Sequence, residues 1–469
     1  MMKKRVLAVL LAIGIFSYNS IPAFAAPVGP DTSLETNDIP NWPSGPDLGA
    51  EAAFLMEANT GVILYAKNIH EHLYPASTTK MMTALLAAEN CSMDEMVDFS
   101  YDAVFSLESG SSNIGIDPGQ AMSMEECLYG IMVASANEVA NAVGEHVAGD
   151  IDSFVQMMND KADELGLKDT HFTNTNGLFN EDHYTSAYDL AIIAKEFFNN
   201  EYLAKIGNTG YHHFEATSTQ PDDFYVRNKH QLISGDMPYA GIKGGKTGYT
   251  SEAGETLVTC AEQNGMTLIC VVLKDESPEQ FNDTVKLFDY GFGNFNIVNV
   301  ADNEEKYSIE NNNFFPSTID ILGSSKQILE LDDKDNIIMP KNINFRDMET
   351  ELIYTNDSEE DIAYINYSYH GAYLGYGRIR SVENRKELSA FDVENPVEEP
   401  KEEITEEKPA PRFINVVSIT TYAVAGCLAL IIISYIHSFF VNYNLLDNLR
   451  KKRTSRYPKR RREKNKLKF

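Results

Sequence analysis

The sequence predicts an α+β domain, then a small all-β module, then one membrane-crossing helix near the C-terminus. Three observations carry that prediction. Residues 47–293 mix helix-period apolar stripes with short β-type runs. Residues 294–388 hold only short alternating runs among many turn residues, such as Ala363-Tyr364-Ile365-Asn366-Tyr367. Phe413 to Val441 is 29 residues without Asp, Glu, Lys or Arg, longer than the roughly 20 helical residues that span a hydrocarbon core. At 469 residues and 43 % hydrophobic content the chain is long enough for two or three domains that need no disulfide or metal staple.

Taken in order, the N-terminus runs Met1-Met2-Lys3-Lys4-Arg5, an apolar stretch from Val6 to Phe16, then Ala23-Phe24-Ala25. A charged region, a short apolar region and a small-x-small site make residues 1–25 a signal peptide, cleaved near Ala25. Residues 26–46, punctuated by prolines, read as an extended N-terminus. Ala52 to Met56 and Val62 to Tyr65, around Asn59-Thr60-Gly61, form a hairpin pattern. Helical patterns follow over Thr78 to Asn90, Ser123 to Ala148, Ile151 to Gly166 and Ser186 to Asn199, the last opened by the capping box Ser186-Ala187-Tyr188-Asp189. Strands are expected over Glu255 to Ala261 and Met266 to Leu273, and a helix over Glu279 to Tyr290. Residues 389–412 are an acidic, proline-bearing linker that cannot bury enough apolar surface to fold. Residues 442–469 form a basic tail with twelve Lys and Arg between Arg450 and Lys468.

By the positive-inside rule that tail stays cytoplasmic. The expected location is therefore the cell membrane, as a single-pass protein with everything before the anchor outside. The chain carries 69 acids, 39 bases and a net charge of −30. Removing the leader's three bases, and the tail's twelve bases and two acids (Asp447 and Glu463), leaves 24 bases against 67 acids outside, about −43. Such a surface excludes a nucleic-acid binder. Cys91, Cys127, Cys260 and Cys270 are external and read as small buried apolar residues. With Asn264-Gly265 as a two-residue turn, Cys260 faces Ile269 and Cys270 faces Thr259, so those sulfurs point to opposite sides of a sheet and do not pair.

Three short motifs carry chemistry. In Ser77-Thr78-Thr79-Lys80 a helix start puts the hydroxyl and the amine on one face, one turn apart. Lys80 can take the Ser77 proton if burial or a second cation keeps it neutral. Ser135-Ala136-Asn137 presents a hydroxyl and an amide that can face one cleft. In Lys246-Thr247-Gly248, on a strand edge, Lys246 and the Thr247 hydroxyl suit an anionic group, Gly248 permits close approach of substrate to the backbone, and Lys246 is the second cation for Lys80. Each motif alone has an ordinary reading: a helix cap with a snorkelling Lys, a turn, a solvent-facing Lys. Their order in one secreted α+β domain is what gives them weight.

Together with Phe172-Thr173-Asn174-Thr175-Asn176-Gly177-Leu178, the run His183 to Ala191, and Tyr249-Thr250-Ser251-Glu252-Ala253-Gly254, the three motifs resemble the low-molecular-mass penicillin-binding proteins, serine-type D-alanyl-D-alanine carboxypeptidases of the peptidase S11 family. The resemblance covers about Ala50 to Phe295. It implies a penicillin-binding, β-lactamase-like transpeptidase fold for residues 47–293, with the β-module as that family's second domain. It implies Ser77 as nucleophile, Lys80 as general base and Ser135 as proton shuttle. Asn137, Lys246, Thr247 and Gly248 would hold substrate, and the N–H groups of Ser77 and Tyr249 would form the oxyanion hole. The partners it implies are a peptidoglycan stem peptide and, as covalent inhibitors, β-lactams; no cofactor or metal is expected. Arg227 stands where some relatives have an Arg near the substrate carboxylate. The chain departs from the pattern at Ala136, at Ile242-Lys243-Gly244-Gly245, and in crossing the membrane, since relatives commonly end in a surface-lying amphipathic helix.

Rival readings are weaker. A class A β-lactamase needs a deacylating Glu that is missing around His171 to Asn176. A metal hydrolase needs ligand spacings that His70, His72, His212 and His213 lack. A non-catalytic β-lactam or peptidoglycan sensor is the remaining alternative, although the tail is too short for a signalling domain.

Overall fold

Five antiparallel strands, β1 (Ala52–Glu57), β2 (Ile63–Lys67), β3 (Ile242–Thr250), β4 (Gly254–Gln263) and β5 (Met266–Asp275), form the central sheet in the order β2-β1-β5-β4-β3. The computed structural model describes residues 29–107, 110–307, 329–355 and 361–381. The expected leader, linker, crossing helix and basic tail lie outside the described residues. Among those described, no helix is long and apolar enough to cross a membrane.

Both faces of the sheet are covered, which is why its central strands read as nearly continuous apolar runs. Phe54 and Met56 of β1, with Ile269 and Val271 of β5, face helices α1 (Lys80–Asn90), α2 (Asn137–Ala148), α3 (Ile151–Glu164) and α4 (Ala187–Asn199) in one apolar cluster. Leu55, Leu268 and Val272 point the other way, towards Phe281, Leu287 and Phe288 of α5 (Glu279–Asn294). The β4–β5 register is the expected one: Cys260 opposes Ile269 and Thr259 opposes Cys270, across a turn whose Asn264 and Gly265 have φ of 52° and 81°. Cys260 and Cys270 lie in opposite clusters and are unpaired. Cys91 departs from expectation: it is half-buried, whereas the other three are fully buried.

The single helix expected over Ser123 to Ala148 is broken. Met124–Tyr129 is α-helical, Gly130–Ala134 forms a π-type turn, Ser135 is left-handed at φ 62°, and α2 starts afresh at Asn137. The capping box before α4 is half made. Ser186 Oγ accepts from the Asp189 N–H at 3.1 Å, while the Asp189 carboxylate accepts instead from the Asp169 N–H and the Thr170 hydroxyl.

After α5 the described elements are strands apart from one short helical turn at Val300–Asn303 and a 3-10 turn at Phe345–Asp347. Phe295–Asn299 pairs with Asn336–Pro340, and a four-stranded antiparallel sheet joins Leu329–Leu331, Ala372–Ser381, Asp361–Tyr369 and Glu349–Tyr354. Ile337, Ile365 and Tyr367 share one apolar cluster with Leu55, Leu268 and Phe288. These strands therefore continue the core beneath the sheet. The segment before β1 is extended but pinned: Trp42 is buried, donates from Nε1 to the Leu64 carbonyl at 3.1 Å, and lies 5.4 Å from the Phe295 ring.

Candidate active site

The site is built where edge strand β3 meets the starts of α1 and α2. Ser77 sits in a 3-10 turn, Ala76–Thr79, that runs directly into α1 at Lys80. The Pro75 carbonyl accepts from two hydroxyls, Thr78 Oγ1 within the turn at 2.7 Å and Thr256 Oγ1 of β4 at 2.9 Å, and the second holds the turn against the sheet. Ala76 has φ 49°, a left-handed conformation that costs an L-residue energy and persists because its surroundings impose it.

Lys80 is fully buried. Its Nζ lies 2.9 Å from Ser77 Oγ, 2.6 Å from Asn137 Oδ1 and 2.6 Å from the Asn176 carbonyl. Burial, reinforced by the charges of Lys246 and Lys229, holds its pKa well below the usual lysine range, against a smaller opposing effect of Glu138. A neutral amine has two N–H donors and one lone pair. The two carbonyl oxygens at 2.6 Å take the donors, which leaves the lone pair directed at the Ser77 hydroxyl.

Lys246 is also buried, and its Nζ donates to Ser135 Oγ at 3.0 Å and to the Thr247 carbonyl at 2.8 Å. Burial and Lys229 bring its pKa down to about 7. Ser135 owes its position to the break before α2: only the left-handed residue after the π-type turn turns its hydroxyl towards β3. All of these motif residues meet in one place. A cavity of about 440 Å³ is lined by Ser77, Ser135, Asn137, Thr247, Gly248 and Tyr249, with Lys80 and Lys246 buried beside it.

One expectation is corrected. Arg227 does not line this cavity. It ends the strand Phe224–Arg227 of a two-stranded hairpin, is half exposed, pairs with Asp236 and lies over the Tyr211 ring. Lys229, two residues on, lines the cavity instead and donates to Ser112 Oγ at 2.8 Å. Gly248 lines the cavity, and its Cβ side faces the nucleophile's own backbone: a Cβ there would lie 2.7 Å from the Ser77 nitrogen and 2.4 Å from Thr256 Oγ1.

Sequence reasoning also missed supporting groups. Asn174 Oδ1 accepts from the Asn176 and Gly177 N–H groups, and that turn aims the Asn176 carbonyl at Lys80. His183 is buried, and its pKa is pushed down to about 3, so it is neutral. Its Nδ1 accepts from the Thr173 N–H at 3.0 Å, which assigns the proton to Nε2, donated to Thr79 Oγ1 at 2.8 Å. Both runs stood out in the sequence, but nothing in them named their partners about a hundred residues away.

The pH dependence follows from the two lysines. On the motif reading, Lys246 must be protonated to hold a substrate carboxylate and Lys80 neutral to take the Ser77 proton. For a carboxylate-ended peptide, kcat/KM is expected to fall on the alkaline side of about pH 7 as Lys246 loses its proton. The same peptide amidated at its C-terminus is expected to lack that limb. Parallel profiles for the two peptides would show that Lys246 does not bind the carboxylate.

Residues 39–277, just over half of the chain, match the family model described as D-alanyl-D-alanine carboxypeptidase, peptidase S11. The chain is 38 % identical over 296 residues to the D-alanyl-D-alanine carboxypeptidase DacF of Bacillus subtilis, covering 62 % of this chain and 72 % of that one. It is 30 % identical over 321 residues to DacD of Escherichia coli, with 66 % and 76 % covered. Among solved structures, penicillin-binding protein 5 of Haemophilus influenzae is similar at TM-score 0.57 and 26 % identity, over 72 % of this chain and 98 % of that one. The Streptomyces K15 DD-transpeptidase is similar at TM-score 0.50 and 28 % identity, over 53 % and 99 %. A buried lysine aimed at a serine, on a fold shared with these proteins, agrees with the family match: the chain belongs to the D-alanyl-D-alanine carboxypeptidases of peptidase family S11, a family of serine-type hydrolases of the bacterial cell wall.

Proposed function

We propose that the protein removes the terminal D-alanine from peptidoglycan stem pentapeptides through an acyl-enzyme on Ser77. The observation that carries this is the fully buried Lys80, its pKa held well below the usual lysine range and its Nζ 2.9 Å from Ser77 Oγ. Lys80 takes the proton as Ser77 Oγ attacks the carbonyl between the two D-alanines. The developing oxyanion is held by the N–H groups of Ser77 and Tyr249. Ser135, hydrogen-bonded to Lys246, passes a proton to the departing amine. Lys246 and Thr247 hold the terminal carboxylate, and Asn137 orients the peptide. Water then releases the tetrapeptide. A β-lactam presents the same carbonyl and carboxylate, acylates Ser77 and stays.

In this reading a cleaved leader and the uncharged run 413–441 keep the catalytic part outside the cell membrane, with residues 442–469 inside. The test combines release of D-alanine from a D-Ala-D-Ala pentapeptide with mass spectrometry after penicillin. Wild type is expected to release D-alanine and to gain one penicilloyl group, and Ser77→Ala to do neither. Acylation without D-alanine release would favour the sensor reading, and release by Ser77→Ala would overturn the mechanism.

A further inference from the structure

Helices α1 and α2 meet twice. At their N-terminal ends Lys80 and Asn137 touch within the active site, Nζ to Oδ1 at 2.6 Å. At their C-terminal ends a second cluster forms, far from the cavity. Cys91 caps α1, its N–H bonded to the Ala87 carbonyl. Glu95 follows four residues later, and His146 lies in the last turn of α2. One ligand atom from each, thiol, carboxylate oxygen and imidazole nitrogen, lies within 4.8 Å of the other two, and His146 Nε2 is 3.1 Å from Glu95 Oε2.

We infer that Cys91, Glu95 and His146 form a structural zinc site that clips the C-terminal end of α1 to that of α2. The ligand chemistry selects the metal. Sulfur, nitrogen and oxygen donors suit Zn²⁺, whereas Ca²⁺ and Mg²⁺ demand all-oxygen shells. Zinc-to-ligand distances of about 2.0–2.3 Å in a tetrahedron put the ligands roughly 3.3–3.7 Å apart. The present spread therefore closes with side-chain rotations of about 1 Å, and water fills the fourth position.

Two further features favour a cation here. The C-termini of two helices direct the negative ends of their dipoles at the cluster. The Glu95 carboxylate is preoriented: its Oε1 accepts from the Ser92 N–H at 2.7 Å, leaving Oε2 on the metal side. Binding replaces the Cys91 thiol proton with the metal, releasing one H⁺ to solvent.

The clip makes no contact with the reacting atoms. It fixes the far ends of two helices, the shorter about 16 Å long at 1.5 Å per residue, whose near ends carry the base and its partner. It escapes sequence inspection because two ligands come from the loop after α1 and the third from 51 residues downstream.

The test uses the purified full-length chain freed of metal. Co²⁺ is expected to give a thiolate-to-metal charge-transfer band and tetrahedral visible bands at one equivalent, displaced by Zn²⁺. Zn²⁺ is expected to bind once by calorimetry, to raise Tm with concentration, and to leave the penicillin acylation rate unchanged. Cys91→Ser is expected to lose the charge-transfer band, and both Cys91→Ser and His146→Ala to weaken Zn²⁺ at least about 10-fold. If either substitution impairs folding, alkylation of Cys91 in the wild-type protein supplies the same comparison. Absence of the band in wild type, or undiminished Zn²⁺ affinity after loss of Cys91, would overturn the site.

Discussion

Lys80→Met is expected to slow both D-alanine release and penicillin acylation by about 10²–10⁴-fold, the range over which a positioned general base acts. The fold is expected to tolerate it. Lys80 is fully buried, so a methionine fills much the same volume and removes the cost of desolvating an amine. Against that, Asn137 Oδ1 and the Asn176 carbonyl each lose a donor at 2.6 Å, at about 1–3 kcal/mol per buried unsatisfied group. The two effects oppose, and Tm is expected to move by far less than the rate. Lys80→Arg separates charge from basicity: a guanidinium keeps its proton at every accessible pH and cannot serve as the base, so it is expected not to rescue acylation. A Lys80→Met protein that acylates within about 10-fold of wild type would remove Lys80 from the mechanism.

The split between what was legible in the sequence and what was not follows contact distance. Ser77 and Lys80 lie one helical turn apart, and local geometry alone brings their polar ends together. The β4–β5 hairpin was legible for the same reason, since Asn264-Gly265 fixes its register and with it the opposite facing of Cys260 and Cys270. The break at Ser135 was not. Residues 124–148 have ordinary helical patterning, and the left-handed serine is imposed by Lys246, 111 residues away, together with the packing around the cavity. Arg227 and Lys229 differ by two positions, and a hairpin pattern without its register does not say which of two nearby cations turns inward. Cys91 looked like its three buried neighbours in composition. Only the meeting of α1 and α2 places it beside Glu95 and His146.

The second large effect is expected at Gly177, which has no reactive side chain. Its φ is 86°, and a Cβ on it would lie 1.8 Å from the Ala76 carbonyl oxygen, 2.4 Å from the Ala76 carbon and 2.9 Å from Thr79 Oγ1. The first two are backbone atoms of the residue that precedes the nucleophile, so no rotamer change relieves the overlap. Either the turn carrying Asn176 retreats, withdrawing the carbonyl that takes one Lys80 N–H, or Ala76-Ser77 moves off β3. In both cases Ser77 Oγ and Lys80 Nζ lose their 2.9 Å contact. A misplacement of about 1 Å costs on the order of 10²-fold in rate, and Gly177→Ala is expected to reach at least that. The left-handed backbone adds about 1–3 kcal/mol of strain, several degrees in Tm. Gly166→Ala is the control. Its φ is 73°, but a Cβ there meets nothing within 4 Å, so it carries the backbone strain without the overlap. It is expected to lower Tm modestly and to leave penicillin acylation intact. Equal acylation rates in the Gly177 and Gly166 variants would show that the close approach to Ala76 does not position the nucleophile.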